Sequence, residues 1–447
     1  MRLLFSDPAD TLHVWGQVAF GAETALHLRD CDDPGFQVRC VRPLPDGGHQ
    51  VFGYFGPRGE GWRIVRANTD DGVSFREPRT VFEQPAGSWA HVGTITFSPE
   101  LGRYLCLKNT QVPGLGFESH AFLSDDGDHW HPAPRNPVYQ EGDRWGAMWS
   151  AAAERFVVVQ KGFVRVPHKP YSELAMEGRR VATIRTSRDG TRWTPDGPVH
   201  IWRGGNQDDR GTWQQLGGPL LPAEHSIVPD AADPPDLEFY AGTPFAYGDR
   251  HFLLMLNYAG SFLPRGHLPV QENGHGECVD TEWWISRDGL HWQRPFRGSN
   301  ALDGARAPIR CEPMQIGDEL VFHMGDAHFG MPVDRITYVT SRANAIFDTA
   351  SFAMPASPLL LNAAIAAPGN PRPNQAYVMA ELVDEHDRVI PGYEREGCIL
   401  QAPLDEIAHP LQWRRESGVR DGTELAGTTL RARFIMRASR IYAVTSA

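Results

Sequence analysis

The sequence predicts an all-β protein: a five-bladed β-propeller followed by a C-terminal β-sandwich. Two observations predict the propeller, namely a seven-residue turn motif that occurs five times and a pair of apolar strands before each copy. After about residue 355, a run of short strands with alternating apolar faces predicts the sandwich. We therefore assign residues 1–355 to the propeller and residues 356–447 to the sandwich.

The turn motif reads Ser-x-Asp-Gly-x-x-Trp. Its copies are Thr69–Phe75, Ser124–Trp130, Ser187–Trp193, Ser286–Trp292 and the decayed Ser341–Phe347. The steps between copies are 55, 63, 99 and 55 residues, so one blade carries an insertion of about 40 residues. Asp hydrogen-bonds its own backbone two residues on, Gly supplies a positive φ, and the aromatic residue starts the return strand. The motif therefore predicts a tight turn between two strands.

A second pair of strands, joined by a short turn, precedes each copy. These pairs are Phe36–Tyr54, His91–Leu107, Trp145–Gln160, Phe239–Leu256 and Arg310–His323. Together with the strands around the turn motif they make five four-stranded units. In such blades the first-to-second and third-to-fourth turns share one face, and here all of them are short. The long segments, such as Lys108–His120, Gly162–Gly178, Thr194–Asp236 and Ala259–Val279, fall on the opposite face, where we expect the ligand site.

After about residue 355, short strands with alternating apolar faces follow one another. They are Leu359–Leu361, Ala376–Leu382, Cys398–Leu400, Gln412–Arg414 and Leu430–Tyr442. A run of this length suits a β-sandwich, which we expect to be structural.

Composition argues against several classes of partner. The net charge is −12 and there is no basic stripe, which argues against nucleic acid. No stretch approaches the roughly 18 apolar residues of a membrane span, and the N-terminus turns polar at Ser6. The six cysteines have no CxxC spacing, so we expect free thiols and a cytoplasmic location. Nothing predicts a cofactor, and a homo-oligomer stays open.

These features resemble the invertase, levanase and arabinanase superfamily of glycoside hydrolases, and most of all uncharacterised family-32-like bacterial proteins. The turn motif is also similar to the Asp box of sialidases, although one residue shorter. The resemblance covers most of the chain and implies catalytic carboxylates in a propeller funnel. The superfamily's Trp-Met-Asn-Asp-Pro-Asn and Arg-Asp-Pro motifs do not occur in this chain. Of the superfamily's catalytic motifs, only the Glu-Cys dipeptide has a counterpart here, Glu277-Cys278. Where the superfamily has an Asp on the first inner strand, this chain has Gln37, Arg39 and Arg42, so catalytic residues are not transferred one by one.

Carboxylates at the funnel ends of the predicted inner strands are the catalytic candidates. Hydrolysis of a glycosidic bond canonically uses two carboxyl groups, one of them protonated. The candidates are Glu312, Glu238, Asp326 and Asp280, with Glu282 as a weaker one. The alternative for each is a solvated loop carboxylate or an ion-pair partner.

Polar and aromatic residues near the same ends are the candidates for substrate binding. They are Arg39, His91, Lys108, Lys161, Tyr258, Arg310 and His328. The cations among them would suit a carboxylate or sulfate on the sugar, and the alternative is that they pair with the carboxylates above. The histidine spacing specifies no metal site.

We therefore expect a glycoside hydrolase that acts on a small saccharide or glycoside. Separations of about 5–5.5 Å between the carboxyl groups indicate retention and about 6.5–9.5 Å inversion. The alternatives are a non-catalytic carbohydrate-binding propeller and a uronate lyase with His91 or a Tyr as base.

Overall fold

The computed structural model describes residues 1–23, 27–29, 36–45, 47–55, 62–84, 90–112, 116–140, 145–165, 178–194, 201–202, 215–216, 226–227, 229–234, 237–259, 277–298, 309–324, 327–365 and 375–446. These residues are almost entirely β-strand, with short 3₁₀ helices at Pro8–Asp10, Arg395–Gly397 and Thr423–Leu425. The all-β prediction is confirmed. No helix in the described part of the chain is long and apolar enough to cross a membrane.

The chain forms two compact units. We call Thr24–Gly330 the central unit, and Met1–Glu23 with Met331–Ala447 the terminal unit. The first strands, in the terminal unit, are β1 (Arg2–Leu4), β2 (Thr11–Trp15) and β3 (Ala19–Ala22). The units thus divide the chain at residues 23/24 and 330/331, whereas the sequence predicts one boundary at 355/356.

The strands that follow, up to Pro332, build the sheets of the central unit. They are β4 (His27–Arg29), β5 (Gln37–Pro43), β6 (His49–Phe55), β7 (Trp62–Thr69), β8 (Arg76–Gln84), β9 (Ala90–Ser98), β10 (Arg103–Val112), β11 (Gly116–Ser124), β12 (His131–Pro132), β13 (Tyr139–Gln140), β14 (Trp145–Ser150), β15 (Arg155–Arg165), β16 (Gly178–Ser187), β17 (Ile201–Trp202), β18 (Gln215–Leu216), β19 (Ser226–Ile227), β20 (Glu238–Ala241), β21 (Pro244–Tyr247), β22 (Arg250–Ala259), β23 (Glu277–Ser286), β24 (Met314–Ile316), β25 (Glu319–Met324) and β26 (Ala327–Pro332).

Strands β17 and β18 pair with each other, and the other strands form five antiparallel sheets, which we number in chain order. Sheet 1 is β5–β8, sheet 2 is β9–β12 with β13, sheet 3 is β14, β15, β16 and β19, sheet 4 is β20–β23, and sheet 5 is β24–β26 with β4. In sheets 1, 2, 3 and 5 each predicted strand pair is confirmed as the first two strands of the sheet, because alternating apolar residues and a short turn specify a hairpin locally. In sheet 4 the predicted first strand is divided into β20 and β21, which both pair with β22.

The turn motif closes through side chain to backbone hydrogen bonds. In the second copy, Ser124 Oγ accepts the Gly127 N–H at 2.8 Å, and Asp126 Oδ1 accepts the N–H groups of Asp128 and His129 at 2.8 Å each. The Trp130 indole N–H donates to the Gly127 carbonyl at 3.0 Å. The motif glycines have φ between 77 and 83°, as the sequence predicts.

The same glycines lie where one sheet meets the next. Their neighbours are Met314 and Val321 for Gly72, Phe52 for Gly127, Leu105 and Leu123 for Gly190, and Met148 for Gly289. The motifs of sheets 1, 2, 3 and 4 therefore pack on sheets 5, 1, 2 and 3, and Phe322 of sheet 5 contacts Phe245 and Trp283 of sheet 4. Each sheet contacts two others, so the contacts form a closed cycle.

The prediction that the decayed fifth copy of the turn motif completes the fifth blade is wrong, because this copy does not belong to sheet 5. Its strands, β27 (Thr337–Ser341) and β28 (Ala345–Thr349), pair with different strands of the terminal unit. The N-terminal strand β4 pairs with β26 in its place. The physical reason is that the copy has Ala343 and Asn344 where the motif has Asp and Gly, so it lacks the groups that close the turn.

The terminal unit contains two six-stranded sheets that share one apolar core. Its remaining strands are β29 (Phe352–Ala353), β30 (Leu359–Ile365), β31 (Tyr377–Val383), β32 (Ile399–Gln401), β33 (Leu404–Pro410), β34 (Trp413–Arg415), β35 (Gly418–Arg420), β36 (Thr429–Arg437) and β37 (Ser439–Ser446). One sheet has the order β3-β27-β37-β30-β33 with β1, and the other β2-β28-β36-β31-β32 with β29. The core includes Leu361 and Val444 from the first sheet and Val378 and Phe434 from the second.

Candidate functional site

Strand register separates the two ends of each sheet of the central unit. In sheet 2, Tyr104 pairs with Ser124 at the turn-motif end, and Val112 pairs with Gly116 at the other end, which we call the funnel end. The funnel-end pairs of sheets 1–4 are Gln37–Tyr54, His91–Asn109, Trp145–Gln160 and Glu238–Tyr258, and in sheet 5 the Arg310 N–H donates to the His323 carbonyl. His91, Glu238 and Arg310 thus occupy equivalent positions on the first-strand side of their pairs, and Tyr258 lies opposite Glu238.

Glu312 lies between Cys311 and the start of β24, and its side chain is partly buried. Its Oε1 accepts the Val41 N–H at 3.2 Å and lies 3.8 Å from Cys40 Sγ. Burial raises the pKa of Glu312 to about 7, although these hydrogen bonds oppose the rise. A carboxyl group that keeps its proton near neutral pH has the property of a general acid.

The surroundings of Glu312 include two thiols and a histidine. Cys311 Sγ lies 3.9 Å from His323 Nδ1, and His323 Nε2 lies 3.1 Å from the Gly72 carbonyl oxygen. A carbonyl accepts only, so we assign the imidazole proton to Nε2 and let Nδ1 accept from the thiol. Burial raises the pKa of both Cys40 and Cys311 well above the ordinary value, so both stay protonated thiols. The predicted free thiols are confirmed for Cys40, Cys106, Cys311 and Cys398.

Glu238 is 2% exposed and starts β20 opposite Tyr258. The Tyr258 and Tyr240 rings lie 4.2 Å apart with an interplanar angle of 34°, and Lys161 Nζ lies 5.1 Å from the Tyr240 ring centroid. The structure therefore brings three predicted residues together, with Tyr240 as a fourth that was not predicted. Aromatic pairs beside a cation are well suited to contact a sugar ring.

The other predicted binding residues lie in strands around these groups. Lys108 is 4% exposed, and burial lowers its pKa to about 8. Arg39 is buried and donates to Gln37 Oε1 at 2.9 Å. Arg310 is partly buried. His328 is buried, with its ring 4.7 Å from that of His323, so the structure places it in packed surroundings.

Three predicted residues are described incompletely or not at all. Asp326 lies outside the described residues. His91 and Asp280 lie in β9 and β23, opposite Asn109 and Asn257, and their side chains are outside the description.

Glu282, the weaker candidate, is an ion-pair partner. Its Oε1 accepts from Arg294 Nε at 2.5 Å and from the Trp284 indole, and Arg294 also binds both oxygens of Asp233. The side chain is 1% exposed, so this carboxylate is enclosed and neutralised. The alternative that we stated for it is confirmed.

Gln160 is a funnel-end residue that sequence reasoning missed. It is 2% exposed, and neither of its amide atoms has a hydrogen-bond partner among the residues that the structure describes. Gln160 lies on the same buried strand face as Phe156 and Val158. A polar amide at the end of this apolar face is the sequence feature that could have identified it as a candidate site residue.

The described residues contain one group with the geometry to hold a metal ion, and it lies in the terminal unit. His13, Asp348 and Asp387 have ligand atoms within 4.8 Å of one another. Arg433 binds both oxygens of Asp348, and Arg431 lies 3.4 Å from Asp348 Oδ2. Two guanidinium groups therefore already balance these carboxylates.

Comparisons with known proteins give only remote likenesses. No protein-family model matches the chain, and no curated protein matches it. Solved structures that resemble it include the family 32 β-fructofuranosidase of Bombyx mori, at 9% identity over 93% of this chain and 94% of that one, with a TM-score of 0.35.

Two further solved structures are of the same kind. An N-acetylgalactosamine deacetylase from F. plautii is 13% identical over 93% of this chain and 94% of that one, with a TM-score of 0.38. An exo-β-1,3-galactanase from Phanerochaete chrysosporium is 7% identical over 95% and 99%, with a TM-score of 0.36. At these identities and TM-scores, none of them defines the fold or the activity of this chain.

Proposed function

We propose that the protein is a glycoside hydrolase whose catalytic domain is a five-bladed β-propeller formed by sheets 1–5. The closed cycle of contacts among these sheets supports the blade count, since a propeller requires each blade to touch two others. The two sheets of the terminal unit, which share one core, form the β-sandwich of the proposal. The proposed catalytic domain is Thr24–Gly330 rather than residues 1–355.

The observation that carries the proposed activity is the burial of Glu312, which raises the pKa of its carboxyl group. Its pKa of about 7 results from burial at the opening of the first strand of sheet 5. A general acid must hold its proton at working pH and release it to the leaving oxygen. Glu312 is therefore the proposed acid.

The second carboxyl group of the proposal is Glu238. It starts the first strand of sheet 4, as Glu312 precedes the first strand of sheet 5. Asp280 and Asp326 stay alternatives for this role. Tyr258 and Lys161 would contact the sugar from beside Glu238, and Arg39, His91, Lys108, Arg310 and His328 complete the proposed binding residues.

A panel of aryl glycosides, assayed for both hydrolysis and unsaturated products, tests the proposal. We expect hydrolysis, a fall in kcat of at least about 100-fold in Glu312→Gln, and loss of activity in the wild type as pH rises above about 7. Asp125→Asn, at an exposed turn-motif position, is the control and should keep full activity.

Three outcomes would contradict the assignment. Full activity of Glu312→Gln excludes Glu312 as the acid. Unsaturated products identify the uronate lyase, and sugar binding without turnover across the panel identifies the non-catalytic propeller.

A further inference from the structure

Gln160 lies in a layer of side chains between sheets 2 and 3. On β15 it follows Phe156 and Val158, which share its face of the strand and pack with Leu107 of sheet 2. At the funnel end, Gln160 pairs with Trp145, the first residue of β14. The Gln160 amide therefore stands where an apolar layer reaches the funnel end.

The strands beside Gln160 carry polar residues at the same level. Thr183 of β16 lies opposite Gln160, and its hydroxyl donates to the main-chain carbonyl of Gln160 at 3.3 Å. Asn109 and Ser119 pair with each other in sheet 2 and continue its side of the same layer. All four residues are buried. The layer is thus apolar along most of its length and polar at the funnel end.

The side-chain amide of Gln160 is unpaired within this polar end. Neither Oε1 nor Nε2 has a hydrogen-bond partner in the described part of the chain, so exchanging the two atoms would not change the result. A buried, unpaired amide loses the hydration of both groups, and an apolar side chain of the same length would avoid that loss. Such a residue is expected where a ligand supplies the missing hydrogen bonds.

The position of Gln160 connects it to the proposed site around Glu238. Lys161 follows Gln160 on β15 and lies on the other face of sheet 3, where its Nζ is 5.1 Å from the Tyr240 ring centroid. Tyr240 belongs to β20, the strand that Glu238 starts. One strand thus brings Lys161 towards Glu238 and Gln160 into the neighbouring layer. A ligand that extends from Glu238 across the funnel end of β15 would reach the Gln160 amide.

The chemistry of the amide restricts which ligand group can satisfy it. Oε1 accepts hydrogen bonds and Nε2 donates them. A carboxylate only accepts and an ammonium only donates, so either would leave one amide atom unpaired. The N–H and C=O of a trans secondary amide point in opposite directions, so an acetamido group would not reach both atoms at once. Two adjacent hydroxyl groups can reach both, because each hydroxyl donates and accepts.

We propose that Gln160 is a substrate-binding residue and that its amide selects a saccharide by pairing with two adjacent hydroxyl groups. One hydroxyl donates to Oε1, and the neighbouring hydroxyl accepts from Nε2. The identification of the ligand as a saccharide rests on the proposed function, whereas the need for both a donor and an acceptor rests on Gln160 alone.

Titration calorimetry of the full chain tests this residue with uncharged probes, the methyl glycosides of galactose, glucose, mannose and fructose. We expect the wild type to bind at least one of these glycosides, whose monodeoxy analogues are then titrated. Two analogues that each lack one of two adjacent hydroxyl groups should bind at least about 10-fold more weakly than the parent glycoside.

The same titrations with Gln160→Met assign the two hydroxyl groups to the amide. This variant should bind the parent glycoside about 10-fold more weakly than the wild type does, and it should no longer distinguish the parent from the two analogues. Its Tm should stay equal or rise, because an unpaired amide is replaced by an apolar chain of similar length. A merely structural glutamine would not show this combination.

Two further variants complete the design. Gln50→Met is the matched control, because Gln50 Oε1 already accepts from the Tyr104 hydroxyl at 3.2 Å near the turn-motif end of sheet 1. This control should lower the Tm and leave every sugar affinity unchanged. Gln160→Asn serves if Gln160→Met does not fold. It keeps the amide but withdraws it by one carbon–carbon bond, so the affinity for the parent glycoside should fall.

A wild type that binds none of the four glycosides would overturn the inference. Unchanged affinities in Gln160→Met and Gln160→Asn would also overturn it and would assign the amide to an ordered water. Selective binding without any hydrolysis of the aryl glycosides would contradict the proposed function and leave Gln160 as a binding residue. Hydrolysis with unchanged kcat and KM in Gln160→Met would do the reverse.

Discussion

The two ends of the sheets in the central unit treat carboxyl groups in opposite ways. At the turn-motif end, burial raises the pKa of Asp71, but the N–H groups of Ser74 and Val73 and nearby hydroxyls together lower it to about 2. At the funnel end, burial raises the pKa of Glu312 to about 7. Between about pH 3 and pH 6, the same functional group is therefore ionised at one end and mostly protonated at the other.

The difference comes from the supply of donors. The turn motif surrounds each Asp with backbone and hydroxyl donors from its own seven residues, so the charge is satisfied locally. Glu312 has two backbone donors, its own N–H and that of Val41 from another sheet, and a weak thiol donor, and together they do not offset the effect of its burial. The turn-motif end, where every motif Asp has its hydrogen-bond donors nearby, is suited to stabilising the fold. The funnel end, where charged groups are desolvated, is suited to binding and catalysis.

The packing of the turn-motif end gives the largest expected effect. A Cβ at Gly127 would lie 2.7 Å from Phe52, and φ is +79°. We expect Gly127→Ala to lower the free energy of unfolding by about 3 kcal/mol, from strain and overpacking together. Urea denaturation measures it.

Gly102→Ala is the matched control for this prediction. Gly102 also has a positive φ, of +59°, but a Cβ there would meet no atom of the described part of the chain within 4 Å. We expect a loss of only about 1 kcal/mol. Equal losses in both variants would show that contact between the sheets contributes nothing.

The pH dependence of stability tests the funnel end. Since the folded pKa of Glu312 lies above its ordinary value of 4.5, the unfolded chain releases this proton first, and stability falls as pH rises from about 4.5 to 7. Glu312→Gln should therefore match the wild type near pH 4.5 and exceed it by at most about 3 kcal/mol near pH 8. Thermal unfolding across this range measures the difference, and a variant that is less stable near pH 8 contradicts it.

The smallest effect concerns a single turn aspartate. The pKa of Asp71 is depressed in the folded state, so its contribution is present above about pH 4 and is lost as pH falls towards about 2. Asp71→Asn should cost about 1 kcal/mol at neutral pH and lose this part of the acid transition. Acid titration followed by circular dichroism checks it. An unchanged acid transition would mean that other carboxyl groups dominate it.

Much of the strand pattern was predictable from the sequence. The hairpins before each turn motif, and the role of the motif aspartates as turn formers, depend on residues a few positions apart. The pairing of β4 with β26 was not predictable in this way, because it joins residues about 300 positions apart without a local signal. The candidate site was predictable as a set of strand ends, whereas the ion pair of Glu282 with Arg294 required the three-dimensional arrangement.

The sequence by itself determined the repeated turns and the end of each sheet where polar residues collect, since period-two alternation and Asp-Gly turns act locally. Only the tertiary structure decided which charges lose water. Glu312 and Lys108 are ordinary acidic and basic residues in the printed chain, and their shifted pKa values arise from neighbouring strands and sheets. The desolvation of a charged group depends on all the residues packed around it. The turn motif therefore identifies the stable end of each sheet from sequence, whereas tertiary packing determines the pKa values at the funnel end.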